Sequence, residues 1–201
     1  MKTAPKYKIC RRLGSAVFEK CQTQKFVQSE ARHKKIGGKK PKALSDYGVS
    51  LIQKQKIRFS YNISEKQFRS YVKQAMAKKG VVPAEKLFES LEHRLDNTVY
   101  RLGFGHTRTL TRQMTSHGHF TVNGKRTTTP SYQVREGDVI AVRVGSRGSA
   151  LFTEFAKKAK DLSIPTWLSL DAANLSGKVV GKPKHMDSFL DFNAVLEFYS
   201  R

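Results

Sequence analysis

Residues 91–144 read LEHRLDNTVYRLGFGHTRTLTRQMTSHGHFTVNGKRTTTPSYQVREGDVIAVRV, and this stretch decides the fold. Leu91, Leu95, Val99 and Leu102 recur at steps of four and three, which predicts a helix with one buried stripe. Arg94 and Arg101 stand seven residues apart and share another face of it. Gly103 suits the left-handed residue that stops a helix, and Thr107 is placed to cap the next one. In that second helix Leu110 and Met114 point inward, Arg108 and Arg112 form a basic face, and Gly118 is again a stop. The pattern then changes to period two. Phe120 and Val122 alternate with polar neighbours, and Asn123-Gly124 is the pair that a type I′ hairpin turn requires, because both central residues need positive φ. Lys125 and Arg126 follow at the hairpin edge. Gly137-Asp138 marks another turn, after which Ile140, Val142 and Val144 line one face of a last strand.

A charged helix face is often just a solvated one. Here, however, Arg94, Arg101, Arg108, Arg112, Lys125 and Arg126 have only Glu92 and Asp96 as acidic company in the helix pair and hairpin. The whole chain repeats the imbalance: 38 Lys and Arg against 16 Asp and Glu in 201 residues, a formal charge of +22. Such an excess points to a polyanionic partner, nucleic acid before membrane. No apolar run approaches the roughly 18 residues of a membrane span. Residues 1–60 hold 16 basic and 3 acidic side chains, residues 61–160 hold 18 and 8, and residues 161–201 hold 4 and 5. The first two segments are therefore expected to meet the polyanion, and the last to meet protein.

The quoted stretch resembles the RNA-binding helix-pair module of small-subunit ribosomal protein S-four, through RLDNTVYRLGFGHTRTLTRQMTSHGHFTVNGKR and PSYQVREGDVI. That module recurs in other RNA-associated proteins. Three further matches lie outside it: YKICRRLG near the start, ALSDYGVSLIQKQKIRF before the module, and AVLEFYSR at the end. Together they extend the resemblance over nearly the whole chain and favour the bacterial-type ribosomal family. It implies an α+β fold: a helical lobe, an inserted RNA-binding module with a helix pair and a small antiparallel sheet, and a basic N-terminal extension. The expected divisions are 1–44 for the extension, 45–89 for the lobe, completed by 149–201, and 90–148 for the module. Residues 1–44 are too basic to fold alone and are expected to order against RNA. Ser45 or Asp46, and Ser64 with Gln67, are predicted helix starts. Pro83 suits a first turn, in a helix running on into the module. Phe68, Tyr71, Val72 and Met76 form a stripe. GSRGS reads as a linker, and residues 150–162 as an amphipathic helix through Leu151, Phe155 and Ala159.

The resemblance also implies a role. Family members bind small-subunit ribosomal RNA early and nucleate assembly of the subunit body. They contact neighbouring small-subunit proteins, notably number five, where decoding accuracy is affected. They also line the path by which messenger RNA enters. Transferred to this chain, the ribosomal-RNA contacts are Arg11, Arg12, Arg94, Arg101, Arg108, Arg112, His117, Lys125 and Arg126. The messenger-path contacts are Lys34, Lys35, Lys39, Lys40 and Lys42. The location implied is the cytoplasmic ribosome. The alternative reading is a non-ribosomal assembly factor or translational repressor that binds RNA.

Two catalytic or metal readings carry less weight. His93-Arg94-Leu95-Asp96 resembles the catalytic-aspartate motif of pseudouridine synthases, but no Thr-Ser-Gly turn follows it, and an Asp paired with a nearby arginine is the simpler reading. Some family members hold zinc with four N-terminal cysteines. Here only Cys10 and Cys21 occur, with His33 as a possible third ligand, short of the four that a structural zinc uses. No cofactor, metal, membrane or small-molecule substrate is expected, and no catalytic residue. The cysteine count suggests a reducing compartment without a disulfide framework. No secretory leader is visible, and family-like sequence from about Tyr7 leaves no room for a transit peptide.

Overall fold

Helix starts fall where the sequence provides caps. Ser45 Oγ accepts from Gly48 N at 3.3 Å, Ser64 Oγ from Gln67 N at 3.4 Å, and Thr107 Oγ1 from Leu110 N at 3.1 Å. They open helices α3 (Asp46–Ser60), α4 (Glu65–Ala77) and α7 (Arg108–Ser116). The structure, a computed structural model, describes residues 5–35, 44–153, 155, 159, 162–184 and 190–200, with the backbone alone for 33–35. Among these residues the fold is α+β. Before the capped helices come α1 (Lys6–Leu13) and α2 (Gln24–Lys35); between them lie α5 (Pro83–Glu92) and α6 (Leu95–Arg101); α8 (Phe192–Ser200) closes the chain. Strands β1 (Phe120–Val122), β2 (Lys125–Arg126), β3 (Val139–Val142), β4 (Leu168–Asp171) and β5 (Ser176–Val179) form one antiparallel sheet in the order β2-β1-β3-β5-β4. None of the described helices is long and apolar enough to cross a membrane.

The chain divides into two compact units, one of the described residues to Ala84 plus 190–200, the other of 85–184. β5 pairs with β3, Ile140 opposite Gly177, and β4 pairs with β5, so residues 168–179 complete the module's sheet. Only the last segment returns to the helical lobe.

In the first unit the expectation that residues 1–44 need RNA to order is not met for 5–35. Cys10, Leu13, Val17, Cys21 and Phe26 are buried together, with Ile52 and Phe59 of α3 packed against them. The charge is kept outside: Lys6 and Lys20 lie over the rings of Phe18 and Tyr7 at 5.7 Å each. Both thiols are unbridged and buried, and burial, then the Cys10 neighbour, pushes the Cys21 thiol up to about 12. Among the described residues no group of three or more His, Cys, Asp or Glu is placed to hold a metal ion. In α4 the inward residues are Phe68, Val72 and Ala75; Met76 is 43% exposed, one position off the expected stripe.

α8 is fastened to α3 and α4 through Glu65. Lys54 Nζ and the Tyr199 hydroxyl both donate to Glu65 Oε1, at 2.8 and 2.7 Å, and Lys54 lies 4.4 Å from the Phe198 ring centroid. Burial alone would raise the Glu65 carboxyl, but the bonds from Lys54 and Tyr199 outweigh it and hold it below its usual 4.5. A carboxyl lowered on folding stabilises above its unfolded value and loses that contribution as pH falls through the folded one. Acid unfolding of the wild type is thus expected to steepen below about pH 4.5, and Glu65→Gln to flatten that limb in a denaturant series across pH. An unchanged limb would show that Glu65 is not a fastening point.

In the second unit the stripe Leu91, Leu95, Val99 and Leu102 is fully buried, as its periodicity predicts, but in two helices instead of one. Arg94 takes an extended conformation between α5 and α6. Its neighbours bond across the chain instead of along a helix: Leu95 N donates to Tyr132 O at 2.9 Å and Val134 N to His93 O at 2.8 Å. The core adds Phe104, Met114, Phe120, Ile140, Val142, Phe152, Phe155 and Trp167. Phe155 stacks on Phe104 with centroids 4.5 Å apart, while Leu151, expected inside, is exposed and Phe152 takes that place. β3 stops at Val142; Val144, expected on that strand, lies in a short 3-10 turn and is exposed. Ser146, in the expected linker, is buried.

Candidate nucleic-acid interface

The helix pair α6 and α7 buries Leu95, Val99, Leu102, Thr111, Met114 and Thr115, which fixes where its basic side chains stand. Arg101, Arg108 and Arg112 are half-buried at the surface of this pair. Two of them are held from beneath by a buried acid and amide. Glu92, 1% exposed, accepts from Arg101 Nε and Nη2 at 2.9 Å each. Its Oε2 also accepts from Asn97 Nδ2 at 2.9 Å, and Asn97 Oδ1 accepts from Arg108 Nε at 2.8 Å. The Arg108 guanidinium lies 4.3 Å from the Tyr100 ring centroid. One buried carboxylate and one amide thus orient two guanidinium groups, and forks held in place this way lose less freedom when they grip a phosphate.

Arg94 does not belong to this surface. Its side chain is wholly buried, donating from Nε and Nη2 to Asp96 at 3.0 and 2.7 Å. The expected outward placement fails because the extended link at Arg94 turns its side chain inward, where it pairs with Asp96. The same pairing explains Asp96. It is buried, accepts from Arg94 and from Asn97 N at 2.9 Å, and has the structural partner that the sequence suggested.

At the hairpin, Asn123 and Gly124 have φ of 50° and 79°, as the turn demands. The turn places Lys125 and Arg126 on β2, the edge strand, both exposed. Arg126 reaches back to the end of α7, where its Nη2 donates to His117 O at 3.1 Å. It lies against Gly118, whose φ of 74° is the left-handed conformation that favours glycine. His117 is exposed. Sequence reasoning missed Arg143 and Arg147, both exposed just past β3; the only signal was two unpaired basic residues flanking the turn.

The remaining candidates are elsewhere. Arg11 and Arg12 sit on α1 in the other compact unit. Arg12 is exposed and lines a groove of about 270 Å³ with Ile9, Leu51, Ile52, Gln55 and Arg58. Lys34 and Lys35 end α2, but their side chains lie outside the described residues, as do Lys39, Lys40 and Lys42 entirely.

Comparison with known proteins gives two family models that match consecutive segments, and relatives that match nearly the whole chain. The family model "Ribosomal protein S4/S9 N-terminal domain" matches residues 1–92, and the "S4 domain" model matches residues 93–140. The small ribosomal subunit protein uS4 of Dehalococcoides mccartyi is 43% identical over 201 residues, covering 96% of each chain. That of Akkermansia muciniphila is 42% identical over 202 residues, covering 99% of this chain and 98% of its own. The protein uS4A of Clostridium novyi is 43% identical over 200 residues, with 96% of each covered.

Proposed function

Since the chain belongs to the small ribosomal subunit protein uS4 family, we propose that it is a structural component of the small subunit that binds ribosomal RNA through the α6–α7 face and the adjoining hairpin. The observation that carries this reading is the pair Arg101 and Arg108, oriented from beneath by Glu92 and Asn97 on the surface of a rigid core. Folded RNA offers dense phosphate and 2′-hydroxyls but few readable base edges, so recognition runs through shape and charge. Fixed guanidinium groups on a rigid scaffold suit that task. The proposed role is structural, and the burial of Asp96 against Arg94 supports it, since Asp96 is the residue that resembled a catalytic aspartate.

The finer proposals rest on the family resemblance. Binding is early and nucleates the subunit body. The protein contacts its neighbours, number five among them, at an interface that bears on decoding accuracy. Lys34, Lys35, Lys39, Lys40 and Lys42 hold incoming messenger RNA as point charges, without reading its sequence. Arg11 and Arg12 add ribosomal-RNA contacts from α1.

An integral component and a transient factor differ in one simple measurement. After a high-salt wash of cell extract, the protein is expected to sediment with the small subunit. Its release into the supernatant, with subunits intact, would favour the assembly-factor or repressor reading.

A further inference from the structure

The turn between β1 and β2 carries a chemistry that RNA binding does not use. Five asparagines occur in the chain, and Asn123 alone precedes a glycine; Ile63, Thr98, Leu175 and Ala194 follow the others. In an Asn-Gly pair the backbone nitrogen attacks the preceding side-chain amide most readily, because glycine has no side chain to obstruct the approach and restricts its backbone least. Both residues are exposed to water. Yet the Asn123 side chain is clamped onto the start of β3. Its Nδ2 donates to Asp138 Oδ1 at 2.8 Å, and its Oδ1 accepts from Val139 N at 2.9 Å. The backbone joins in, with Asn123 N donating to Val139 O at 2.8 Å. Asp138 is itself fixed: Arg135 N donates to its Oδ2 at 2.8 Å, and Val179 N of β5 to its carbonyl oxygen at 3.0 Å.

We propose that Asn123 is a latent deamidation site, kept closed in the native fold by Asp138 and Val139, so that isoaspartate at this position marks chains that have left that fold or not yet reached it. The reaction needs only water as co-reactant. The Gly124 nitrogen, having lost its proton to solvent base, attacks Cγ of Asn123. The Cγ–Nδ2 bond breaks and Nδ2 leaves as ammonia, taking back a proton, which closes a cyclic succinimide. Water then adds to either of its carbonyls. Opening on one side gives aspartate, and opening on the other gives isoaspartate. No electrons are transferred: an amide and a water become a carboxylic acid and ammonia.

The clamp opposes the first step. Cγ must swing toward the Gly124 nitrogen, and the bonds to Asp138 and Val139 have to break for it to do so. The bond to Asp138 is charge-assisted, the stronger kind to give up. The product, in turn, does not re-enter the clamp. A carboxylate oxygen in the place of Nδ2 has no proton to donate and faces Asp138 as a like charge. Isoaspartate also routes the main chain through the β-carbon, which lengthens a two-residue turn whose geometry sets the strand register. Lys125 and Arg126 follow directly on that turn. The modification does not depend on the RNA-binding reading; its consequence for RNA does, since a chain with isoaspartate at 123 would lose its hairpin contact.

The test incubates the full chain in mildly alkaline buffer, folded and in denaturant. The tryptic peptide 113–125 is followed by mass and by isoaspartyl methyltransferase labelling. The unfolded chain is expected to deamidate at Asn123 roughly tenfold or more faster than the folded one. Asp138→Ala, which removes the charged acceptor, is expected to raise the rate in the folded protein by roughly tenfold. Asp138→Asn, which keeps an acceptor without the charge, should raise it by roughly threefold. Asp138→Ala also frees Arg135 N, so circular dichroism accompanies each variant; if that one unfolds, Asp138→Asn carries the comparison. Folded wild type that deamidates as fast as the unfolded chain, or folded Asp138 variants no faster than wild type, would overturn the clamp. Deamidation confined to the other four asparagines would overturn the site. RNA affinity of the aged chains is a separate arm: isoaspartate at 123 with wild-type affinity would uphold the modification and count against the hairpin as an RNA contact.

Discussion

Arg94→Ala is expected to cost about 3–5 kcal/mol of stability, the largest single effect anticipated in the second compact unit. The substitution leaves Asp96 buried, with its two charge-assisted bonds from Nε and Nη2 removed. A buried carboxylate that loses its partner retains its full desolvation penalty. It also sits in the first turn of α6, next to the extended link that ties His93 and Leu95 to residues 132–134, so the hinge between α5 and α6 loosens with it. Arg94→Met with Asp96→Leu, which removes both charges and keeps the volume, is expected to recover much of the loss, because well-packed apolar residues can replace a buried pair. Denaturant midpoints of the three proteins decide the matter. A single variant as stable as wild type but weak on RNA would return Arg94 to the binding surface.

The second large effect is ionic. Without Arg94, five cations remain from the original surface: Arg101, Arg108, Arg112, Lys125 and Arg126. At about 0.7–0.9 per phosphate contact, the slope of log K against log salt would be roughly −3.5 to −4.5. A fourfold rise in salt should then weaken binding by roughly two to three orders of magnitude. A slope near zero, with affinity intact, would mean that binding does not run through phosphates.

Much of this architecture was legible in the residues. Ser45, Ser64 and Thr107 cap helices because a short polar oxygen before an apolar-periodic run has a backbone N–H to satisfy. Asn123-Gly124 specified the hairpin through positive φ alone. The buried stripe from Leu91 to Leu102 followed from its spacing. What stayed hidden was tertiary. The helical period runs straight through Arg94, and only the bridge to Gln133, 39 residues on, breaks it. The inward turn of Arg94, and with it the difference between a binding arginine and a structural one, follows from that break. Likewise nothing local in LSLD or SGKV marks them as strands of the same sheet as Ile140; pairing over more than thirty residues does. Residues 1–44 were read as too basic to fold alone, since the count of lysines masks that Cys10, Leu13, Val17, Cys21 and Phe26 come together. Glu92 and Asn97, the acid and amide beneath the arginine face, are buried because the chain breaks between α5 and α6, which no local pattern announces.

The account stands on the arginine face of α6 and α7, and one measurement addresses it directly: binding of small-subunit ribosomal RNA by wild type and by Arg108→Ala/Arg112→Ala, across a salt series, with circular dichroism on the same samples. Helix content should persist, since alanine is the better helix former. The slope should fall by about one to two units, with affinity reduced at every salt concentration. A folded double variant that kept both wild-type affinity and wild-type slope would contradict the account and place RNA binding elsewhere, on the N-terminal basic segment first.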